Sequence, residues 1–419
     1  MSRLLDRALP PRLGRDFRWL LASSWTTNLG DGLAIAAGPL LVASQTDEPA
    51  LVALAATALW LPPLLFGLVA GVLADRVDRR RMLVVVNLVR AVVLALLTGS
   101  VATGTVSIAV VLVALFVLAT AETFADTVSQ TVLPMLVRRE DLALGNARLT
   151  TGFVTFNQLL GPSLGALLFA VAAVWPFALQ TVLVLAGVVL LTRVRLQPEE
   201  HDGDAQALAT IRADLVEGVR WVLGNAAVRT LVLTILIFNI TFGAAWSVLV
   251  LWASERLGLA AAGYGLLATL GAVGGLVGTL GYGWLTARVS LGNLMRVGLL
   301  LETVTHLVLA LTTSVPVALV TFFLFGVHAF VWGTTSVTVR QRAVPGRLQG
   351  RVASVDTICV FGGLVLGSAL GAVLAQQYGV TAPFWFGFAG SAVFVVLIWR
   401  QMSHVAHADE ATEASPVMP

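Results

Sequence analysis

Apolar runs of about 20 residues recur along the whole chain, separated by short segments that contain charged residues, Pro or Gly. A helix of about 20 apolar residues crosses the ~30 Å hydrocarbon core of a bilayer. The pattern therefore predicts twelve transmembrane helices, called spans one to twelve below. The predicted ranges are 17–43, 51–74, 82–100, 105–129, 147–170, 175–194, 229–252, 262–286, 292–312, 316–340, 351–374 and 381–400.

The amino-acid composition excludes a water-soluble protein. Of the 419 residues, 58% are hydrophobic and only 12% are charged, whereas an ordinary soluble domain carries about 25% charged residues. The single cysteine, Cys359, excludes a disulfide framework, and its apolar surroundings favour a small buried residue. No catalytic or phosphate-binding motif is present. We therefore expect a protein embedded in the lipid bilayer, with no enzymatic activity and no metal site.

The basic residues are all arginines and cluster in alternate loops. The loops on the other side, such as 44–50 and 100–105, contain none, and Arg256 is the exception. The positive-inside rule then places both termini in the cytoplasm. This clustering is a topology signal, so the net charge of +3 and the pI near 9.7 do not indicate nucleic-acid binding. The lysine-free, Ala- and Gly-rich composition is typical of GC-rich coding and indicates a bacterial inner membrane.

The two halves of the chain repeat each other, since the segment 71–77 matches the segment 283–289. We predict an N-terminal cytoplasmic segment (1–16), an N-terminal six-helix bundle (17–194), a cytoplasmic linker (195–228), a C-terminal six-helix bundle (229–400) and a disordered tail (401–419). Helical periodicity over 211–222 predicts a surface helix in the linker. Two parallel halves with a binding site between them are the plan of many secondary transporters.

The loop between spans two and three resembles a family signature. Residues 71–80 read GVLADRVDRR, close to the motif G-x-x-x-D-R-x-G-R-R of the major facilitator superfamily, with Asp78 where the family usually has Gly. The resemblance implies an all-α integral membrane fold of two pseudo-symmetric six-helix bundles. It also implies a cytoplasmic latch, in which Asp75 faces the N-terminus of span eleven and Arg79 pairs with Asp126. The latch residues are Gly71, Asp75, Arg76, Arg79, Asp126, Gly350 and Arg351; a solvated charged turn that only sets topology is the alternative.

Two further segments resemble exporters of that superfamily. Span five contains the residues Asn157, Gly161, Pro162 and Gly165, similar to the GPxxG element typical of its antiporters. The segment 133–147 is similar to a loop of its macrolide, multidrug and siderophore exporter branch. The resemblance implies proton-coupled exchange by alternating access.

Asp31 lies near the midpoint of span one, between Gly30 and Gly32. A charged carboxylate at the bilayer centre costs several kcal/mol unless it faces a wet cavity or is protonated, so Asp31 is a candidate proton site. A structural polar contact to a neighbouring helix is the alternative. Glu122 on span four is a second proton-site candidate, or simply a partner of Arg90 or Arg148.

Other ionisable residues within the spans favour structural roles. Glu302 and His306 share one face of span nine at i, i+4 spacing, which favours a mutual structural pair. Asp356, near the cytoplasmic end of span eleven, could join the latch or interact with nearby arginines.

A mostly apolar cavity with a few amides and aromatic rings suits an amphipathic substrate. The candidates for it are Asn28, Asp31, Asn157, Gln158, Asn239, Phe242, Trp246, His328, Trp332 and Phe361. Each of them could equally serve helix packing. The glycine series 271–278 and 363–371 is better explained by close helix contacts.

These observations predict a secondary transporter that exports a drug, a macrolide-like product or a siderophore in exchange for protons. The partners are then the bilayer, a small molecule and protons, without nucleic acid and without a cofactor beyond the proton gradient, and we expect a monomer. An importer or uniporter of the same fold and a non-transporting, receptor-like membrane protein are the alternatives. An integral-membrane enzyme is a more distant one.

Overall fold

The computed structural model describes residues 13–74, 77–195 and 207–401. Within these ranges the chain is helical and contains no strand. The first six spans are Gly14–Ala43, Pro49–Ala74, Arg79–Ala102, Ile108–Leu136, Leu142–Gly152 continued by Phe153–Leu160 and Gly161–Val171, and Val174–Leu191. The last six are Ala226–Trp246, Ala261–Thr286, Leu291–Leu311, Val315–Ala343, Gln349–Tyr378 and Ala382–Ile398.

Ten helices of the described chain are long and apolar enough to cross a membrane. Two predicted spans are outside this group. Span one is long enough but contains polar residues such as Asn28 and Asp31, which lower its hydropathy, and span twelve has only 17 residues. Five of the twelve predicted spans end one to seven residues before their helices do. Span four, for example, was expected to end at residue 129 but continues to Leu136, because hydropathy marks the part within the hydrocarbon and not the end of the helix.

Span seven is shorter than its apolar run predicts. The sequence predicts a helix over 229–252, but the helix ends at Trp246 and a separate helix follows at Leu249–Leu257. Short 3-10 helices, Arg139–Asp141 and Gly346–Leu348, precede spans five and eleven. The predicted N-terminal segment up to residue 12 and the tail beyond residue 401 lie outside the described residues.

The described residues form two compact units, each with its own apolar core. The first unit is drawn from Met1–Thr46, Leu61–Leu208 and Leu259–Thr269, and the second from Asp47–Trp60, Ala209–Gly258 and Leu270–Pro419. Buried residues of spans one, three, four and six, such as Leu20, Leu83 and Val128, form one core of the first unit. In the second unit, Leu231, Met295 and Val339 belong to a core that joins spans seven, nine, ten and twelve.

Spans one and five of the first unit touch along their backbones. A Cβ atom at Gly161 would lie 2.4 Å from the Cα of Gly32, and one at Gly165 would lie 2.3 Å from the carbonyl oxygen of Leu33. Only glycine permits an approach this close, since a Cβ atom does not come within 3 Å of another heavy atom. The glycines beside Asp31 therefore serve close helix packing, and span one remains one unbroken helix.

Span five is locally widened into a π-helix at Phe153–Leu160. The N–H of Gly161 donates to the carbonyl of Phe156, five residues earlier, in place of the usual i−4 partner. The next residue is Pro162, which has no N–H and whose ring would clash with the carbonyl four residues before it. The wider turn relieves this crowding immediately before the second half of the span.

Substitution of Gly165 should destabilise the first unit. We expect Gly165→Ala to lower the free energy of unfolding by about 1–3 kcal/mol, because overpacking of a close contact costs that much. Gly67→Ala is the control, since a Cβ there meets nothing within 4 Å and should change stability by no more than about 1 kcal/mol. Thermal unfolding of both variants in detergent compares them. Equal midpoints would contradict the proposed close contact.

The two glycine series of the second unit also make close helix contacts, as expected. Cβ atoms at Gly363, Gly367 and Gly371 would lie within 2.8 Å of residues on span seven. A Cβ at Gly274 would lie 2.0 Å from the carbonyl oxygen of Phe323 on span ten, and one at Gly278 would lie 2.5 Å from another carbonyl of that span. These residues bring spans seven and eleven, and spans eight and ten, into backbone contact.

The linker contains the predicted surface helix, at Ala207–Gly224. Arg351, at the start of span eleven, forms ion pairs with Asp214 at 2.8 Å and with Glu217. Arg347 lies 3.6 Å from Glu217. All of these groups are partly exposed, so the pairs position the linker helix more than they stabilise it.

Candidate functional site

Asp31 and Arg90 form a buried ion pair between spans one and three. A guanidinium nitrogen of Arg90 donates to Oδ1 of Asp31, and Nε2 of Gln180 on span six lies 3.4 Å from the same oxygen. The Arg90 side chain is 3% exposed and that of Asp31 is 10% exposed. A second nitrogen of Arg90 donates to Oδ1 of Asn87 at 2.9 Å. The amides and the helix contact of Gly32 therefore fix both charged groups in position.

Span four brings two more carboxylates into the field of this pair. Glu122 and Asp126, one helical turn apart, both interact electrostatically with Arg90 and Asp31. Glu122 is half-buried and Asp126 is exposed. We call the group of Asp31, Glu122, Asp126 and Arg90 the charge cluster. With all three acids ionised, it would carry two net negative charges. Charge inside a membrane protein is costly, and binding a proton removes one of these charges.

The sequence identified Asp31, Glu122 and Asp126 but not the role of Arg90. Arg90 was considered only as a partner of Glu122, whereas its direct ion pair is with Asp31. The signal was its place in the middle of an apolar span, since an intramembrane arginine nearly always has an acidic partner. Which acid pairs with Arg90 depends on the distances between spans, and the local sequence pattern does not give these distances.

The predicted latch is only partly within the described residues. Asp75 and Arg76 lie outside them. Arg79 donates to Sδ of Met135 at 3.0 Å, and its pairing with Asp126 stays a prediction. Arg351 contacts the linker helix, as described above. A Cβ at Gly71 or at Gly350 would meet nothing within 4 Å.

Asp356 interacts with an arginine, which was one of the two roles expected for it. The partner is Arg340 near the end of span ten, and the two side chains are equally buried. This ion pair joins spans ten and eleven within the second unit.

Four of the predicted cavity residues line one pocket in the second unit. Its volume is about 290 Å³, and it lies between spans seven, nine and ten. The predicted lining residues that it contains are Asn239, Phe242, His328 and Trp332. Phe238, Leu299, Glu302, Phe325 and Ala329 complete the lining, and we call this cavity the aromatic pocket.

The other predicted cavity residues lie elsewhere. Asn28 donates to the carbonyl of Ser24 at 2.7 Å within its own helix. Asn157 is buried in the π-helix of span five, and the neighbouring Gln158 has a buried Oε1 without a hydrogen-bond partner among the described residues. Phe361 is half-buried on span eleven.

Trp246 packs behind the aromatic pocket. Its ring stacks on Phe242 with a centroid distance of 4.3 Å and lies 4.7 Å from the ring of Phe325. Two of the pocket's rings are thereby held in place by a third, so the shape of the cavity is set by packing within the second unit.

Glu302 has a closer partner than the one expected from its spacing. Its Oε2 lies 2.9 Å from Nε2 of His328 on span ten. Nδ1 of His306 lies 2.9 Å from the backbone carbonyl of Glu302 but 4.0 Å from its carboxylate. The expected i, i+4 pair is thus mainly a side-chain to backbone contact, because the helix places the buried imidazole against its own preceding turn.

Comparison with known families places nearly the whole chain in one of them. The profile of a major facilitator family described as transmembrane secretion effector matches residues 8–419. The multidrug efflux pump Tap of Mycolicibacterium fortuitum is 28% identical over 385 residues, covering 87% of this chain and 90% of that protein. The Tap pump of Mycobacterium tuberculosis is 26% identical over 365 residues, covering 85% and 86%.

Solved transporter structures share the fold. The nucleoside transporter NupG superposes with a TM-score of 0.73 at 12% identity, covering 93% of this chain and 100% of that one. A bacterial homologue of the iron transporter ferroportin, in an inward-facing state, also gives 0.73, at 18% identity and with 93% and 99% coverage. The predicted all-α major facilitator fold is therefore confirmed. Among the described residues, no group of three His, Cys, Asp or Glu side chains is placed to hold a metal.

Proposed function

Because the chain belongs to the transmembrane secretion effector family of the major facilitator superfamily, we propose that this membrane transporter exports an amphipathic small molecule from a bacterium in exchange for protons. The observation that carries the proposal is the charge cluster. A permanent cation and three acids that differ in exposure can bind and release a proton between water and a buried carboxylate. The relatives named as multidrug efflux pumps support the direction of transport and a broad substrate class.

Proton binding at Asp31 would change the packing of the first unit. The neutral acid no longer pairs with Arg90, and the guanidinium then turns toward Glu122 and Asp126 on span four. Since the Gly32 contact ties span one to span five, a loss of attraction between spans one and three is passed to span five. Protonation and loss of the proton are thus linked to two arrangements of the same helices, as alternating access requires.

The remaining features of the proposal follow from the sequence. Both termini lie in the cytoplasm of a bacterial cell, the proton gradient is the only energy source, no cofactor is required, and the monomer is the working unit. The family membership makes the chain a transporter and not an enzyme. An importer of the same fold would carry its substrate inward, and a receptor-like protein would bind a ligand without flux.

Export can be measured in a bacterial strain that lacks its own major drug pumps. Cells are loaded with a fluorescent amphipathic dye, and its loss is followed after glucose is added. We expect the wild-type chain to speed dye loss several-fold, and a protonophore to abolish the difference. Glu140→Gln is the control, because that carboxylate is 73% exposed and lies beyond the end of span four.

The direction of dye movement distinguishes an exporter from an importer and from a receptor-like protein. Faster dye loss that depends on the proton gradient supports export. Faster dye uptake supports an importer. Unchanged dye movement across a varied panel, with the protein present in the membrane, would contradict the proposed function.

A further inference from the structure

We propose that the aromatic pocket binds the positively charged ring system of a cationic substrate, with Glu302 as its counter-ion. This inference rests on the proposed function and names the substrate class. The pocket lies entirely within the second unit and is separate from the charge cluster of the first. Its features are a buried carboxylate, aromatic walls and three polar atoms without a hydrogen-bond partner among the described residues.

The carboxylate of Glu302 lacks a permanent counter-ion. It is buried, and among the described residues its ionic contacts are with His328 and His306 only. The 2.9 Å contact between Nε2 of His328 and Oε2 does not have hydrogen-bond geometry, and an imidazole is charged only when both of its nitrogens carry a proton. Oε1 lies 4.0 Å from Nδ1 of His306, beyond hydrogen-bond distance. An unneutralised buried carboxylate is costly, and a cationic ligand removes that cost. Asp31, in contrast, already has Arg90.

Aromatic rings line the wall of the pocket beside Glu302. Phe242 and Phe325 are nearly parallel, with ring centroids 5.8 Å apart and an interplanar angle of 14°. Faces of aromatic rings attract cations, more strongly where water is excluded. A volume of about 290 Å³ is at the lower end of small-molecule pockets, so the cavity fits a charged ring system rather than a whole large drug.

Three polar atoms at the wall can select the substituents of the ligand. Nδ1 and Nε2 of His328 and Nε1 of Trp332 are buried and have no hydrogen-bond partner among the described residues. In a neutral imidazole one nitrogen donates and the other accepts, while the indole N–H of Trp332 is a donor. Buried polar groups normally have partners, and ring amino groups of a ligand can supply them.

Ethidium and its uncharged parent, diaminophenylphenanthridine, test the charge requirement. The two share a ring system and its amino groups, but only ethidium is permanently cationic. We would measure their binding to the purified full-length protein in detergent at constant pH by fluorescence anisotropy. The wild type should bind ethidium at least about tenfold more tightly than the parent. Failure of the wild type to bind ethidium, or equal binding of both compounds, would overturn the proposal.

Glu302→Gln should remove the preference while keeping the shape of the side chain. We expect it to weaken ethidium binding about tenfold or more and to leave binding of the parent within about twofold. Glu255→Gln, which changes an exposed acid of the same unit, should alter neither. Phe325→Leu keeps apolar volume but loses the ring face, so it should also weaken ethidium more than the parent, and it supplies the test if the Gln variant does not fold. Unchanged ethidium binding in the folded variants would overturn the proposal.

This binding assay needs no transport, so the two proposals fail separately. A wild type that exports dye but binds ethidium unaffected by Glu302→Gln would refute the pocket alone. A wild type that binds ethidium through Glu302 but moves no substrate would refute the transport function alone.

Discussion

Asp31→Asn is expected to reduce proton-driven export to the level of cells without the protein. Asn keeps the size of the side chain but cannot exchange a proton or pair ionically with Arg90. Since Asp31 is the acid of the charge cluster that pairs directly with Arg90, its proton is the one linked to helix packing between spans one, three and five. Loss of coupling should therefore be nearly complete, while substrate binding to the second unit is retained.

Dye export from pump-deficient cells measures the first part of this prediction, and ethidium binding to the purified variant measures the second. Gln180→Leu is a useful comparison, because it removes only the 3.4 Å contact to Asp31 and should slow export without abolishing it. Export by Asp31→Asn at more than about half the wild-type rate would contradict the role of Asp31 as the coupling acid.

Arg90→Met should have the largest effect on stability. Removal of one partner of a buried ion pair costs about 3–5 kcal/mol, because the other charge is left buried and unpaired. Here the loss leaves three neighbouring acids without their shared cation. Proton binding by those acids offsets part of this cost, so we expect a loss toward the lower end of that range.

A double-mutant cycle separates the ion pair from other effects of the substitution. If Asp31 and Arg90 stabilise each other, adding Asp31→Asn to Arg90→Met should restore a large part of the lost stability. Thermal unfolding in detergent of the wild type, both single variants and the double variant supplies the four values. Strictly additive losses would contradict direct coupling between these two side chains.

Much of the fold can be predicted from the chain because bilayer spans are encoded locally. Runs of apolar residues, arginine-rich loops and glycines at helical spacing each act within about 20 residues. The interruption after Trp246 and the π-helix before Pro162 were missed, since both leave the apolar pattern unchanged. They depend on backbone hydrogen bonds, which a hydropathy pattern does not report.

The candidate site could be predicted only in part, for a related reason. Asp31 and Glu122 stand out because isolated acids in apolar spans are rare. Their relation to Arg90, and the contact of Glu302 with His328, depend on which helices are neighbours and on how each is rotated. The neighbours and the rotation of each helix are seen in the folded structure and not in a single sequence. The i, i+4 spacing of Glu302 and His306 predicted their contact but gave no sign of His328 on span ten.

Proton movement by the purified protein tests the central claim most directly. The wild type, Asp31→Asn and Glu140→Gln are reconstituted into vesicles that are acidic inside and contain a pH-sensitive dye, and ethidium is added outside. The account predicts that ethidium causes loss of internal acidity with the wild type and with Glu140→Gln, but not with Asp31→Asn. Ethidium accumulation in the vesicles without any proton release, or equal proton release by Asp31→Asn, would contradict it.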